Sequence, residues 1–228
     1  MDFFQDFLLF ESINDKSILK AIFMTGHPGS GKSYVLKKIK SGQIEPRIVN
    51  IDKFVEKYGY MKDHTKKLIK SQLTNYINSM LPLFIDGTSS SKSNILLRKG
   101  ILESIGYETG MVFINCSLDT ALKRAAKRKR EVPEEYIIQA HENIQKMKPF
   151  FKSIFHNFFK EVDNDDGELN DKMIQKAYKK TTKFFTSSLK NPIGEDIIEE
   201  MKKNKWKYLL DGIYTKSELN KVVSNWYK

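Results

Sequence analysis

The sequence predicts an α/β fold, a five-stranded parallel sheet with helices on both faces, a helical lid and a C-terminal helical appendage. Three observations carry this. Short continuous apolar runs alternate with stretches whose apolar residues recur at helical spacing, the pattern of strands buried on both faces by crossover helices. The first run leads through a glycine-rich turn straight into a helical stretch, as in a βα unit. The chain has 228 residues, 40% of them hydrophobic, enough for one sizeable core and a small addition.

Taken in order, "MDFFQDFLLFES" (1–12) is apolar but acidic and reads as a helix packed on the body. It lacks the basic start and small-residue cleavage site of a signal peptide. The strand candidates are "ILKAIFMT" (18–25), "RIVNI" (47–51), "LPLFID" (81–86), "TGMVFIN" (109–115) and "SIFHNFFKEVD" (153–163). Helical spacing links Leu68/Ile69, Leu73, Tyr76/Ile77 and Met80, and again Leu97, Ile101 and Ile105. Ser117 reads as an N-cap, with Leu118, Leu122 and Ala125/Ala126 as its helix's buried stripe. Pro133, Glu134 and Glu135 start a fresh helix. "DNDDGELNDK" is an acidic break, after which three helix-like segments run to the end. The expected division is therefore a core over 1–165, with a lid about 123–135, and an appendage over 166–228. Aligning Gly167 with the glycine of a calcium loop puts Val162 and Met173 at ligand positions, so that break is no calcium site.

Composition excludes several classes. No run approaches the ~18 apolar residues of a membrane span. A lone cysteine, Cys116 in "MVFINCS", excludes an internal disulfide framework and a cysteine zinc site, and predicts a buried thiol in a reduced, cytoplasmic protein. The four histidines lack ligand spacing and predict no metal. The net charge of +11, from 39 Lys+Arg against 28 Asp+Glu, favours an anionic partner. Lysines spread along the chain as a solvated surface would give the same balance.

The strongest motif is Gly26-His27-Pro28-Gly29-Ser30-Gly31-Lys32-Ser33, which satisfies G-x-x-x-x-G-K-[ST] between an apolar strand and a helical segment, "SYVLKKIK", that includes Tyr34. Glycines let backbone N–H groups wrap phosphate oxygens, and the helix N-terminus adds its positive end. Lys32 would bridge terminal phosphates and Ser33 would offer a hydroxyl to Mg2+, so ATP and Mg2+ are the expected cofactors. Residues 26–34 are the cofactor-binding set.

Two acids end strands at the carboxyl edge where ligands of such sheets bind. Asp52 in "RIVNIDKF" is placed to accept a proton from an attacking hydroxyl, or to cap the next segment. Asp86 in "LPLFIDGTSSSK" is placed to organise Mg2+ through water, or again to cap. Arg124, Lys127, Arg128, Lys129 and Arg130 crowd the junction after the fourth strand, with Arg124 and Arg128 one turn apart. A cationic flap of this kind can close over a nucleotide, neutralise charge on a transferred group and exclude water.

The order GxPGSGKS, "IVNIDKF", "FIDGTSSSK" and "LKRAAKRKREVPEEYI" resembles the zeta-toxin and polynucleotide-kinase-like group of P-loop kinases, from about Ile18 to Lys148. The lid pattern R-x-x-x-R-x-R-x-V-P, here Arg124, Arg128, Arg130, Val132 and Pro133, is its most specific part. The resemblance implies ATP-dependent transfer to an alcohol. Asp52 would activate the acceptor hydroxyl, Lys32 and Ser33 would hold ATP·Mg2+, and Arg124 and Arg128 would bind phosphates. Asp86, Thr88, Lys92, Arg98 and Arg130 form the acceptor-side set. The segment 162–167 would approach the adenine, although its composition reads equally as a surface turn. The family's D-x-x-R after the second strand is "DKFVEK" here, and its asparagine after Asp-x-Thr is a serine run, so acceptor recognition is not carried over.

Three readings of the acceptor follow. The first is a hydroxyl on nucleic acid, a chain terminus or a hydroxymethylated base as in bacteriophage DNA-modifying kinases, favoured by net charge and by Lys92, Arg98 and Lys99 near Asp86. A phage protein would work in the host cytoplasm. The second is a small molecule such as a nucleoside or sugar nucleotide. The third is a non-catalytic nucleotide-gated binding protein.

Overall fold

The computed structural model describes residues 14–40, 44–50, 62–87, 91–127, 132–165, 168–203 and 215–224. Five strands, β1 (Lys20–Thr25), β2 (Arg47–Asn50), β3 (Leu83–Asp86), β4 (Glu108–Asn115) and β5 (Phe159–Asp163), form one sheet in the order β2-β3-β1-β4-β5. Every pair is parallel. The described helices are α1 (Lys32–Lys40), α2 (Lys62–Asn78), α3 (Lys92–Ser104), α4 (Leu118–Ala126), α5 (Glu134–Ile154), α6 (Glu168–Thr186), α7 (Pro192–Lys203) and α8 (Lys216–Ser224). The α/β architecture is as the sequence predicts.

Successive strand residues point to opposite faces, and each face has its own core. Ala21, Phe23, Leu83, Ile85, Met111 and Phe113 pack with Leu73 and Ile77 of α2, Leu102 of α3, Phe151 of α5 and Met201 of α7. Ile22, Met24, Phe84, Val112, Ile114 and Val162 pack with Val35, Leu36 and Ile39 of α1 and Ile174, Ala177, Phe184 and Phe185 of α6. Residues on both sides of position 165 thus share each core. A third cluster joins Cys116 to Ala121 and Ala125 of α4 and Ile137 of α5.

One buried charge fastens α6 to the sheet. Lys20, fully buried at the start of β1, donates to the carbonyl oxygens of Phe184 (2.6 Å) and Ser187 (2.6 Å) and to Ser187 Oγ (3.1 Å). A cation on the last carbonyls of a helix opposes the negative end of its dipole. Burial lowers the Lys20 ammonium to about 8, against the raising influence of Glu108. Burial also pushes the Glu108 carboxyl up, so both shifts report desolvation more than their 3.9 Å pairing.

Some local expectations change. The run 153–163 is a strand only over Phe159–Asp163, because Ser153 and Ile154 finish α5 and Phe155 is its C-cap. In α3 the buried positions are Ile95 and Leu102, while Leu97 is exposed. The helix turns its 95/102 side to the sheet and leaves Leu97 outward. In α4 the buried residues are Ala121 and Ala125, and Ala126 is exposed. Ser117 caps α4 and Pro133 precedes α5 as expected. The N-terminal segment 1–12 lies outside the described residues.

Candidate active site

The loop between β1 and α1 emerges beside the carboxyl ends of β3 and β4, where successive crossovers leave the sheet in opposite directions, the topological switch point of such folds. Its glycines are required by both conformation and space. Gly29 and Gly31 have φ of +85° and +81°, the left-handed region that side chains disfavour. A Cβ on Gly26 would lie 2.4 Å from Ile114 O, and one on Gly29 2.6 Å from Ala121 O. Gly31 is closed by Asn164, which would sit 2.1 Å from such a Cβ.

The loop is braced from below. His27 is buried, its Nδ1 donating to Pro28 O at 2.9 Å in the tautomer this contact favours, with Nε2 3.8 Å from Cys116 Sγ. His141 of α5 meets the His27 ring edge-on at 4.7 Å between centroids. Burial holds the His27 imidazole below its usual range, and the nearby His141 and Lys32 act in the same direction. Cys116 is buried, as its apolar run predicts.

Lys32 folds over the loop, donating from Nζ to Gly26 O (2.7 Å) and His27 O (3.4 Å). Ser33 and Tyr34 lie exposed in the first turn of α1. Ser30 Oγ is buried without a hydrogen-bond partner among the described residues. A glycine cradle, a lysine, a helix N-terminus and a spare hydroxyl form a donor set that fits a chain of phosphates. The exposed Ser33 hydroxyl at the start of α1 is an oxygen donor of the kind that suits a nucleotide-bound Mg2+.

Arg124 of α4 reaches the cradle, with its Nη1 3.5 Å from the Cβ position of Gly31. Asp86 stands at the end of β3 level with Met24 of β1 and Asn50 of β2, and accepts a hydrogen bond from Asn50 Nδ2. The cradle, Lys32, Arg124 and Asp86 therefore share one edge of the sheet. Lys92 is exposed at the start of α3, its Nζ 5.3 Å from the Phe150 ring centroid, and Arg98 is half-buried further along that helix. Lys99 is instead held by Glu103 at 2.6 Å, which also accepts from the hydroxyl of Thr109, the second residue of β4. Asp52, Thr88, Arg128 and Arg130 lie outside the described residues.

Three polar residues at this edge were not singled out individually by the sequence, which marked only the segment 162–167 as a whole. Asn164, buried just past β5, donates from Nδ2 to Ser30 O at 2.6 Å. Asp165 accepts from Ser117 N and Oγ, at 2.9 and 2.8 Å, at the start of α4. Burial pushes Asp165 up, but hydrogen bonds from Thr120 and Ser117 outweigh it and hold the carboxyl below its usual range. The turn after β5 thus ties the phosphate loop to α4. Asn50 is the third. Asn50 ends β2, while Asn164 and Asp165 follow the last residue of β5, so all three lie at the carboxyl edge of the sheet where Asp86 also stands.

The zeta-toxin family model matches residues 11–166. Among solved structures, a chain of the Pnkp1/Rnl/Hen1 RNA repair complex superposes with a TM-score of 0.52 at 19% identity, covering 59% of this chain and 46% of that one. This chain thus spans less than half the length of that relative. A sugar kinase from Janibacter sp. HTCC2649 (TM-score 0.45, 11% identity, 72% of this chain and 94% of that) is a further likeness. So is shikimate kinase from Acinetobacter baumannii in complex with shikimate (0.43, 15%, 71% and 92%). With its family model matched across the sheet, the phosphate loop and α4, this chain belongs to the zeta-toxin family of P-loop kinases.

Proposed function

We propose that the protein transfers the γ-phosphate of ATP to a hydroxyl group carried by nucleic acid. The observation that carries the transfer is the meeting of Lys32, Arg124 and the glycine cradle at one edge of the sheet. Phosphoryl transfer asks a protein chiefly for positioning and for cations where negative charge spreads. Lys32 would leave its loop carbonyls for the terminal phosphate oxygens, and Arg124 would offset charge on the transferred group. Bound Mg2+, near Ser33 and Asp86, would add neutralising charge. Asp52 would take the proton from the acceptor hydroxyl, with Thr88, Lys92, Arg98 and Arg130 on the acceptor side and Arg128 joining Arg124 on the phosphates. Support for a polyanionic acceptor is the net charge of +11.

Incubation with labelled ATP and panels of DNA, RNA, nucleosides and sugar nucleotides tests the acceptor. Label is expected on oligonucleotides; label confined to nucleosides or sugar nucleotides overturns the nucleic-acid assignment. Asp52→Asn is expected to lower turnover at least about a hundredfold while ATP binds as before. Normal turnover would remove Asp52 from the chemistry.

Asn164→Ala should act differently. It leaves the buried Ser30 carbonyl unpartnered, a defect of about 1–3 kcal/mol, and the loop loses the brace that shapes its grip. ATP affinity by calorimetric titration is expected to fall about tenfold, an effect of ~1.4 kcal/mol, with a smaller change in kcat. Unchanged affinity would show that the loop holds its shape without Asn164.

A further inference from the structure

Helix α6 carries a charge arrangement that its structural role does not call for. Lys172, Lys176, Lys179, Lys180 and Lys183 are all exposed, and at 3.6 residues per turn they fall within about 100° of arc. Ile174, Ala177, Phe184 and Phe185, on the opposite side, are buried in the sheet core. A solvated helix face normally mixes signs, because an acid one turn from a lysine stabilises the helix and a second lysine there destabilises it. The helices α5 and α7 follow that rule, with Glu142–Lys146 and Glu199–Lys203 pairs at 3.8 and 2.7 Å. In α6 the spacings 172/176, 176/180 and 179/183 are all lysine on lysine. Its acids, Glu168 and Asp171, are confined to the first turn.

The cluster extends beyond the helix. Lys160 lies on β5, the edge strand of the sheet that packs against α6; burial lowers its ammonium, Lys180 and Lys176 act in the same direction, and Glu161 acts against them. No ion pair joins any of these six lysines to a carboxylate among the described residues. The face also has a direction. Helix α6 begins just after the turn that braces the phosphate loop and ends over Lys20 at the opposite edge of the sheet. From Lys172 to Lys183 the stripe therefore leads away from the candidate active site over about 16 Å.

We propose that this α6–β5 lysine stripe is a docking track for the phosphate backbone of a nucleic-acid strand whose end reaches the active site. A line of like charges bears a repulsive cost in the free protein that a polyanion laid along it relieves, with release of the strand's counterions. The track rests on the nucleic-acid acceptor proposed above and identifies the surface that would hold it.

The test is anisotropy of a labelled single strand of about 20 nucleotides, DNA or RNA, titrated with the full chain between about 50 and 200 mM salt. Three proteins are compared: wild type, the triple variant K176Q/K180Q/K183Q, and K146Q/K152Q/K203Q, which removes the same charge from exposed positions on α5 and α7. Five phosphate contacts predict about a hundredfold loss of wild-type affinity across that range, with a log–log slope near about −3.5. The α6 variant should lose about two units of that slope, and the control variant almost none. Equal weakening in both variants, or no strand bound by wild type, overturns the track. So does preferential capture by phosphatidylserine-containing vesicles through the same lysines, which would make the surface a membrane one. Label transfer to the strand, assayed in parallel, separates the two proposals. A strand held by the stripe but never phosphorylated sinks the acceptor reading and leaves the track. A strand phosphorylated and bound equally well by the α6 variant sinks the track and leaves the acceptor.

Discussion

Lys32→Ala is expected to reduce ATP-dependent transfer by about a thousandfold or more while the protein remains folded. The Lys32 ammonium is the one cation that the loop itself carries, and it now rests on the carbonyl oxygens of Gly26 and His27. Those weak acceptors are an exchangeable resting place; phosphate oxygens bearing full charge make shorter and stronger partners. Truncation leaves the left-handed turns at Gly29 and Gly31 untouched, so the cradle persists and loses only the charge that follows the terminal phosphate. Single-turnover transfer with labelled ATP, alongside a thermal melt, reads this directly. Transfer within tenfold of wild type, with an unaltered melt, would mean that the loop acts without its lysine.

Arg124→Ala is expected to cost about a thousandfold in kcat, the lower end of what a single arginine contributes to phosphoryl transfer. Arg124 sits on α4, whose start is fastened by Asp165 through Ser117, and its guanidinium lies beside Gly31. Because α4 buries Ala121 and Ala125, removing the half-exposed arginine leaves its packing in place. Arg124→Lys keeps the charge but loses the planar fork, so only partial recovery is expected. The informative comparison is kcat against KM for ATP. A rise in KM alone would make Arg124 a binding residue with no special part in the transition state.

Much of the site was legible because its signals are local. A glycine that needs positive φ, a lysine six residues after the first glycine and a helix start are properties of neighbouring residues, so "GHPGSGKS" announced its own geometry. The N-cap at Ser117 and the Pro133 helix start were legible for the same reason. Leu97 misled because spacing locates an apolar stripe without saying which side meets the sheet, and α3 turns its Ile95 and Leu102 side inward. Asn164 and Asp165 read as a polar turn in isolation. Their roles exist only because β5 pairs with β4 and ends level with Asn115, which sets the turn against a loop more than a hundred residues earlier in the chain.

From sequence alone came the alternation of strands and helices, the phosphate cradle, the acid that ends β3 and the arginine-bearing helix after β4. Each follows from backbone preference and side-chain periodicity within one or two elements. The tertiary structure decided which faces are buried, which cations reach the cradle and which are taken elsewhere, as Lys99 is by Glu103. It also decided that the late helix α6 closes one face of the sheet and turns a single-signed row of lysines outward. Those outcomes depend on strand order and on contacts between distant segments, whose energies no local window of sequence contains.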